Sequence, residues 1–486
     1  MNYDVVIIGS GFGGLICARQ LAQSGRNVLV LERQHQPGGC LQSYRRGDME
    51  FDTGLHYVGG LAEGQPLHDA FETLGLLQLP WQRLDTDGFD QITIGKNTFP
   101  LAQGFDHFVD KLSSYFPTEH YALTQFAEML RHVPTMEESC GVNAYDYLAS
   151  LFHDPLLINV ISAAAIRMEL RRETLPLFNF AHGLSSYIQS SWRLKGSGNL
   201  IVNSLIKDIK AAGGEIVCGA EVENLKVQDG KATGKATDRR ESGNGIVAAR
   251  CSDGRMFKGN IFISDVHPQL TFGWLKKSNM LKNTFRRRID ALENTYGMFT
   301  ASLVIKPNVL PYFNHNKYVY RKANVWSFTE DVGGVGGMMI SARVPEDGTM
   351  YVRQIDLLTP MPWRLCLTWA DTVAGRRGET YELQKKRMAA MCIRLAERVI
   401  PGLSGMVERC YTSTPLTWRD YSLSPFGSAF GIRKDCRSPL MTMLSPKTPI
   451  PNLFLTGQSL VLHGLEGVTR TAFQTIGLVE NLDFKV

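Results

Sequence analysis

The feature that most constrains the fold is a glycine pattern placed between two short apolar runs at the start of the chain. Val5 to Ile8 form an uninterrupted apolar run, which is typical of a parallel strand buried on both faces. Gly9, Gly11 and Gly14 follow as G-x-G-x-x-G and open a helical segment, and a second apolar run ends in Glu32. This order of strand, turn, helix, strand and acid predicts an α/β fold with a Rossmann-like, dinucleotide-binding unit.

Each residue of this unit has an expected role in binding a dinucleotide. Gly9 permits the sharp turn, Gly11 lets the backbone approach a pyrophosphate, and Gly14 lets the helix pack close to the strand. The carboxylate of Glu32 can accept both ribose hydroxyls and would repel a 2′-phosphate. The loop alone does not distinguish FAD from NAD, so a plain NAD dehydrogenase is one alternative.

A second glycine turn favours FAD. In "ERQHQPGG", Glu32 is followed by Arg33, Gly38 and Gly39. This arrangement resembles flavoproteins of the two-dinucleotide-binding class, in which a basic residue and a Gly-Gly turn follow the second strand and lie against the FAD. A simple dehydrogenase needs no such turn.

Composition excludes several other classes of protein. A net charge of +5 over 486 residues gives no basic surface of the kind that nucleic acid requires. Nine cysteines without a C-x-x-C pair predict reduced thiols and a cytoplasmic location, and no metal site is expected. We expect no signal peptide, and the apolar run 155–166 is too short to span a bilayer.

Four motifs together resemble one flavoprotein family. "GSGFGGL", "VLVLE", "PGGC" and "FDTGLHY" are similar to the family that includes phytoene desaturase, carotenoid cis–trans isomerase and all-trans-retinol 13,14-reductase (retinol saturase). The last of these is the most similar branch, and "LFLTGQSLVLHGLEGV" at 453–468 also fits it. The segment "GSGNLIVNSLIKDIKAAGGEIVCGAEVENL" matches the family's second FAD-contacting block, in which the residue at the position of Val222 meets the adenine end.

The resemblance implies an architecture. We expect a Rossmann-like FAD-binding domain of the glutathione-reductase/amine-oxidase-like type, interleaved with an α+β substrate domain. The FAD-binding domain would be discontinuous, over 1–100, 194–270 and 448–486. A helical cap would cover 101–193, and a mixed α+β substrate-binding domain would cover 271–447.

The resemblance also implies the residues of the site. Residues expected to contact FAD are Gly9, Gly11, Phe12, Gly13, Gly14, Glu32, Arg33, Gly38, Gly39, Cys40, His56, Val222, Gly457, Gln458, Gly467 and Val468. A last helix that begins at Gly467 and Val468 would direct its positive end at the reduced flavin. The candidates for handling a proton are His56, Tyr57, His463 and Glu466, and each has a purely structural alternative.

The implied function is an FAD-dependent oxidoreductase acting on carbon–carbon double bonds of a long apolar polyene or isoprenoid. Saturation, desaturation and isomerisation, through hydride exchange with flavin N5, all stay open, with NAD(P)H as a transient donor. The alternatives are an amine-oxidase-like or protoporphyrinogen-oxidase-like flavoenzyme and a flavin-free lipid escort similar to GDP-dissociation inhibitors. The basic segment 276–288 is predicted to be a solvated helix face, with contact to a membrane surface as the alternative. The oligomeric state stays open.

Overall fold

The computed structural model describes residues 2–228, 245–275, 279–327, 334–345 and 348–483, with side chains as far as 481. The strands of these residues, numbered in chain order, are β1 Asn2–Ile8, β2 Val28–Leu31, β3 Ser43–Arg46, β4 Met49–Asp52, β5 Val58–Gly59, β6 Trp81–Arg83, β7 Asp90–Ile94, β8 Asn97–Leu101, β9 Ser191–Leu194, β10 Glu215–Val217, β11 Val222–Gln228, β12 Gly245–Cys251, β13 Met256–Ser264, β14 Gly297–Ile305, β15 Asn316–Tyr320, β16 Gly337–Ala342, β17 Gln354–Met361, β18 Val407–Ser413 and β19 Leu453–Leu455.

The α-helices lie between these strands and after the last of them. They are α1 Phe12–Gln23, α2 His68–Thr73, α3 Phe105–Ser113, α4 His120–Arg131, α5 Met136–Ser139, α6 Ala144–Leu151, α7 Pro155–Ala163, α8 Leu177–Gln189, α9 Asn199–Ala211, α10 Pro268–Gly273, α11 Asn283–Asp290, α12 Glu379–Ala396, α13 Leu403–Met406, α14 Pro415–Ser422, α15 Pro439–Thr442 and α16 Gly464–Asp483. Within the described residues, none of these helices has the length and apolarity that a membrane span requires.

The first sheet is built around β1 and carries the predicted Rossmann-like unit. Its order is β10-β2-β1-β13-β12-β11, and β19 also pairs with β13. The strands β10, β2, β1, β13 and β19 run parallel, while β12 and β11 are antiparallel. Val5 and Ile7 face α1, α9 and α16, whereas Val6 and Ile8 pack on the opposite side of the sheet. The prediction of a strand buried on both faces is confirmed.

The second sheet has the order β18-β14-β17-β16-β15-β7-β8, and its pairs are antiparallel except for β15 with β7. Alternate residues of β14 serve different cores. Phe299, Ala301 and Leu303 pack against α12, while Met298 faces the helices of the 101–193 region. The predicted α/β fold with an interleaved α+β part is confirmed.

The domain boundaries stay a proposal, and sheet membership modifies one of them. We assigned residues 1–100 to the FAD-binding domain, but β7 and β8 pair at the edge of the second sheet, next to β15. We therefore propose that the first segment of the FAD-binding domain ends before Asp90. The sequence of β7 and β8 predicts only that they form a hairpin. The parallel pairing of β7 with the distant β15 leaves no pattern in this local sequence.

The basic segment 276–288 is described only in part, because Lys276 and Lys277 lie outside the described residues. Its second half forms α11, in which Ile289 is buried and Arg287 is exposed. The Nη2 atom of Arg288 donates to the backbone oxygen of Leu440, 2.7 Å away. The described part is therefore a helix that packs Phe285 and Ile289 against the core of the first sheet and leaves its other face solvated.

Candidate functional site

The glycine loop between β1 and α1 is held tightly by its surroundings. Gly9 has a φ of +96°, which favours glycine, and the turn delivers Gly11 to the N-terminus of α1. A side-chain carbon on Gly14 would overlap the backbone oxygen of Gly9, so the helix packs as close to the strand as predicted. At Gly11 the space for a side chain is filled by Oδ2 of Asp265, a residue that our sequence analysis did not assign to the site.

Glu32 lies directly after β2 and is 8% exposed. Its Oε2 accepts from the backbone nitrogen of Ser10 at 3.0 Å and from the Ser10 hydroxyl, and its Oε1 accepts from the backbone nitrogen of Gln34 at 2.7 Å. Each carboxylate oxygen has two lone pairs, so Oε2 is saturated by Ser10, whereas Oε1 can still accept one further hydrogen bond. The acid is therefore fixed beside the glycine loop, where a ribose hydroxyl can reach it.

The second glycine turn packs onto the first. The backbone nitrogen of Gly38 donates to the backbone oxygen of Ser10 at 3.0 Å, and a side-chain carbon on Gly39 would lie 2.9 Å from the Cα of Gly11. Burial, and then the charge of Asp265, raise the pKa of the neighbouring Cys40 thiol to about 11. Cys40 is therefore a neutral wall residue and not a thiolate nucleophile at neutral pH.

Arg33 and Val222 border the expected adenine end. The Nη2 atom of Arg33 donates to the backbone oxygens of Asp420 and Tyr421 at 2.5 and 3.0 Å, so it joins the end of β2 to the end of α14. Val222 is buried at the start of β11. Arg33 thus fixes two distant segments to each other, a role that sequence spacing did not indicate.

The C-terminal block meets the N-terminal loop. Gly457 follows β19 with a φ of +97°, and Nε2 of Gln458 donates to the backbone oxygen of Ala429 at 3.3 Å. The last helix begins at Gly464, three residues before the predicted start at Gly467. The predicted start of this helix is therefore wrong by three residues, and the first four N–H groups, those of residues 464–467, have no partner within the helix. The contact of Gly467 and Val468 with FAD stays a prediction.

Residues from both ends of the chain line one cavity of about 1650 Å³. Two of the predicted residues, Gly14 and Gly38, pack behind its surface. The predicted residues in its wall are Gly9, Gly11, Phe12, Gly13, Glu32, Arg33, Gly39, Cys40, His56, Tyr57, Val222, Gly457, Gln458, His463, Glu466, Gly467 and Val468. The cavity continues to the second sheet, where Met298, Met339 and Leu358 form an apolar wall.

Two predicted proton-handling residues are buried histidines. Burial, and then the charge of Arg193, lower the pKa of His56 to about 4, and its Nδ1 lies 4.0 Å from Oδ2 of Asp356. Burial also lowers the pKa of His463 to about 4, and its Nε2 lies 3.1 Å from the backbone oxygen of Arg167. Both imidazoles are therefore neutral near pH 7 and offer one N–H donor each.

Glu466 lies in the first turn of α16 and is 12% exposed at its side chain. Arg470 donates to its Oε1 from Nε and Nη2, at 3.0 and 2.9 Å. Burial raises the pKa of Glu466, but the contacts with His182 and Arg470 outweigh burial and lower it. The carboxylate of Glu466 is therefore ionised near pH 7. It is better suited to stabilise the N-terminus of α16 by its negative charge than to donate a proton.

Tyr57 belongs to a buried polar cluster. Its hydroxyl donates to Oδ2 of Asp90 at 2.8 Å, lies 2.8 Å from the hydroxyl of Tyr318 and accepts from Arg167. The guanidinium of Arg167 also lies over the ring of Tyr187, 3.8 Å from its centroid. Burial holds the pKa of Tyr57 well above 10 despite the nearby arginine.

Sequence analysis missed the partners of Tyr57. Asp90, Arg167 and Tyr318 come from three separate parts of the chain, so no spacing relates them. The one available signal was the position of Arg167, which directly follows the apolar run 155–166. A charged residue at the end of such a run is buried only with partners, and this one is.

One cluster of metal-ligand side chains exists within the described residues, and it lies outside the predicted site. It consists of His68, Asp69 and Glu72 on α2, of which both acids are exposed. Exposed acidic groups at helical spacing are common without a metal.

The fold is that of a Rossmann-like α/β protein whose glycine-rich loop opens into the cavity. The family described as "NAD(P)-binding Rossmann-like domain" matches residues 7–74. A solved structure of putrescine oxidase bound to putrescine has the same fold, with a TM-score of 0.64 and 12% identity over 99% of both chains.

The relatives by sequence are more specific. The chain is 25% identical to human all-trans-retinol 13,14-reductase over 96% of this chain and 84% of that protein. It is also 25% identical to the chloroplastic prolycopene isomerase of Daucus carota, over 98% of this chain and 79% of that protein. The predicted resemblance to the group of retinol saturases and carotenoid isomerases is confirmed.

Proposed function

We propose that the protein is an FAD-dependent oxidoreductase that acts on carbon–carbon double bonds of a long apolar polyene or isoprenoid, retinoid-like or carotenoid-like. The observation that carries this proposal is the single cavity. It joins the glycine-rich turns of both chain ends to the apolar wall formed by Met298, Met339 and Leu358. The named activities of the relatives, on retinol and on prolycopene, support the same class of substrate.

The residues of the cavity fit FAD. The glycine loop offers main-chain N–H groups at the start of α1, and Glu32 is fixed at the end of the next strand. The turn at Gly39 touches the loop, and α16 directs its positive end toward the same space. When bound, FAD supplies a ring that can accept or donate a hydride.

The chain's own side chains hold the substrate and control protons. The apolar wall of the second sheet would bind the polyene and exclude water. We keep His56, Tyr57, His463 and Glu466 as the candidates for proton handling. Neutral His56 and His463 can donate a hydrogen bond, Tyr57 shares its proton with Asp90, and ionised Glu466 would position α16.

A transient nicotinamide donor is part of the proposal. The sequence contains one complete dinucleotide fingerprint, at Gly9 to Gly14, which FAD would occupy. A second dinucleotide would therefore bind only in passing, and NAD(P)H would reduce the flavin and leave.

Anaerobic bleaching of the flavin near about 450 nm tests these roles. If NADH or NADPH bleaches the flavin and a polyene restores the colour, the protein is a reductase. If the polyene itself bleaches the flavin, the protein is a desaturase. A yellow protein whose flavin responds to no nicotinamide and no polyene would exclude the reductase and the desaturase, and conversion of a polyene between cis and trans isomers would then be needed to support the proposal.

An amine oxidase is the second candidate, because the fold resembles that of putrescine oxidase. Anaerobic bleaching by putrescine or another primary amine would support it, and the sequence relatives argue against it. A lipid escort without flavin is the remaining alternative. A purified protein that is colourless, and that binds no added FAD, would support the escort.

We further propose that the protein takes its substrate from an anionic membrane surface, through a patch beside the cavity. Leu367, Val373, Tyr421 and Phe426 are 58%, 69%, 58% and 55% exposed. Phe426 has a φ of +56°, a backbone conformation that is unfavourable for residues other than glycine. Its ring is more than half exposed and contacts the ring of Trp363.

The patch adjoins the cavity and carries basic residues. Gly375 and Tyr421 line the cavity, and the same segments contain Arg376 and Lys386, which suit anionic lipid. Residues 363–387 and 415–427 together hold seven basic and four acidic side chains.

Co-sedimentation with vesicles tests this patch. We expect binding to phosphatidylcholine–phosphatidylserine vesicles and weaker binding to phosphatidylcholine alone. Val373→Ser with Phe426→Ser should abolish binding, while Leu440→Ser should not. Leu440 is 82% exposed and lies against α11, so its variant examines the alternative basic segment. Binding that is lost only with Leu440→Ser would place the membrane contact at α11 instead.

A further inference from the structure

Asp265 places a carboxyl group inside the glycine loop. It directly follows β13, the parallel neighbour of β1, and its backbone nitrogen donates to the backbone oxygen of Ile8 at 2.8 Å. Side-chain carbons placed on Gly13 and Gly457 would lie 2.8 and 2.6 Å from its Oδ1. The two chain ends therefore close around this one carboxyl group, which also lines the cavity.

The carboxyl group uses donors that the loop would offer to a dinucleotide. Oδ2 of Asp265 fills the space beside Gly11 and lies 3.2 Å from a side-chain carbon placed on Gly14, and the N–H groups of these two glycines lower its pKa. In a loop of this kind, N–H groups at the start of the helix bind the negatively charged diphosphate. A carboxylate at this position would meet a diphosphate at close range, where like charges repel.

The charged surroundings do not relieve this repulsion. Burial raises the pKa of Asp265, the N–H groups of Gly14 and Gly11 lower it, and the charge of Glu32 raises it, to a value of about 7. Two thiols also lie near Asp265, those of Cys17 on α1 and of Cys40 in the second turn. Burial, and then the charge of Asp265, raise the pKa values of both. Among the described residues, no cationic group contributes to the pKa of Asp265.

We propose that Asp265 binds the FAD diphosphate as a neutral acid, its hydroxyl donating to a diphosphate oxygen, so that FAD binding takes up one proton. The inference rests on the proposed FAD cofactor. The carbonyl oxygen of the neutral acid still accepts the N–H groups of the loop. One side chain thus serves as acceptor for the loop and donor to the cofactor.

The sign of the pH dependence follows directly. The empty protein loses the Asp265 proton as the pH rises through about 7, whereas the FAD complex keeps it. FAD affinity is therefore highest in mild acid and falls by roughly tenfold per pH unit above that value. No other group need change its charge for this effect.

The test uses the holoprotein, which is diluted serially at each pH from about pH 6 to about pH 9. The fluorescence of the released flavin gives the dissociation constant of FAD at each pH. For the wild type we expect a rise of roughly tenfold per pH unit in the upper part of the range. Asp265→Asn keeps a donor and an acceptor but cannot titrate, so its dissociation constant should be flat with pH and close to the wild-type value in mild acid.

Asp356→Asn is the matched control. Asp356 is another partly buried acid, whose pKa is raised to about 7 by its loss of hydration, but it lies on β17 of the second sheet. This variant should keep the wild-type pH dependence. A flat wild-type curve, or an Asp265→Asn curve as steep as that of the wild type, would overturn the inference. If Asp265→Asn does not fold, the pH dependence of FAD binding to the wild type alone decides whether the inference holds. A protein without any flavin would defeat the proposed cofactor, whereas a yellow protein with a flat curve defeats only this inference.

Discussion

The two sheets border the cavity in different ways. The first sheet presents main chain, because its parallel strands end in turns where glycines leave the peptide groups uncovered. The second sheet presents side chains from one of its faces, of which Met298, Met339 and Leu358 are the largest apolar ones. A cofactor held by peptide groups depends on the absence of side chains, whereas a substrate held by side chains depends on their size. We therefore expect changes at the first sheet to abolish binding and changes at the second to alter selectivity.

The largest effect is expected at Gly11. Gly11→Ala should leave the purified protein without flavin, because the added carbon would overlap Asp265 and displace the loop. Absorption of the purified protein measures the flavin content. Gly477→Ala is the control, since a carbon added there meets no other atom, and it should stay yellow.

A double variant tests whether Asp265 or the cofactor occupies the space beside Gly11. If Asp265 alone fills the space, then Gly11→Ala combined with Asp265→Gly should recover part of the flavin. A double variant that stays colourless, while Asp265→Gly alone stays yellow, would show that the cofactor itself needs the space, as sequence analysis predicted.

Glu32→Ala should have the next largest effect. The loss of a charged acceptor should weaken FAD binding by about 2 to 3 kcal/mol, measured by release of flavin on dilution. Glu32→Gln keeps the shape and one acceptor, so it should lose less. Unchanged affinity in Glu32→Ala would mean that the ribose does not contact this acid.

Unfolding in mild acid tests whether the two sheets that border the cavity also differ in their electrostatics. His56 faces Asp356 of the second sheet, and His463 follows the last strand of the first. Both have pKa values lowered to about 4 by burial, so the unfolded chain binds more protons than the folded one below about pH 6.5. Each should therefore contribute a loss of about 2 kcal/mol in unfolding free energy between pH 7 and pH 5.

Urea unfolding of His56→Gln and His463→Gln at these two pH values measures the loss. Each variant should be less sensitive to acid than the wild type, and by a similar amount. A variant as sensitive as the wild type would show that its histidine is protonated without cost in the folded protein.

The smallest effect is expected at the second sheet. Met339→Ala should leave flavin content unchanged and lower kcat/KM for a polyene by about tenfold, or ~1.4 kcal/mol, because part of the apolar wall is lost. Met338→Ala is the control, since Met338 lies on the opposite face of β16 and packs toward α12. It should reduce stability without changing the preference among polyenes. An equal change in both variants would argue against a substrate wall at this sheet.

Local spacing made the first sheet predictable and the second only partly so. The glycines, Glu32 and the turn at Gly39 lie within one short segment, in which strand, turn and helix determine each other. Asp265 and Arg167 reach the cavity through pairings between distant segments, and their own neighbours in sequence do not report those pairings. The start of α16 was misjudged for a smaller reason, because Gly464 and Gly467 are both compatible with a helix start.

The contact between α1 and α16 has a consequence for biosynthesis. The ribosome makes the glycine loop long before it makes the turn at Gly457 that closes the loop and the helix that packs on α1. The nucleotide cradle is therefore unfinished until α16 has been synthesised. Loading with the proposed flavin must wait for that helix.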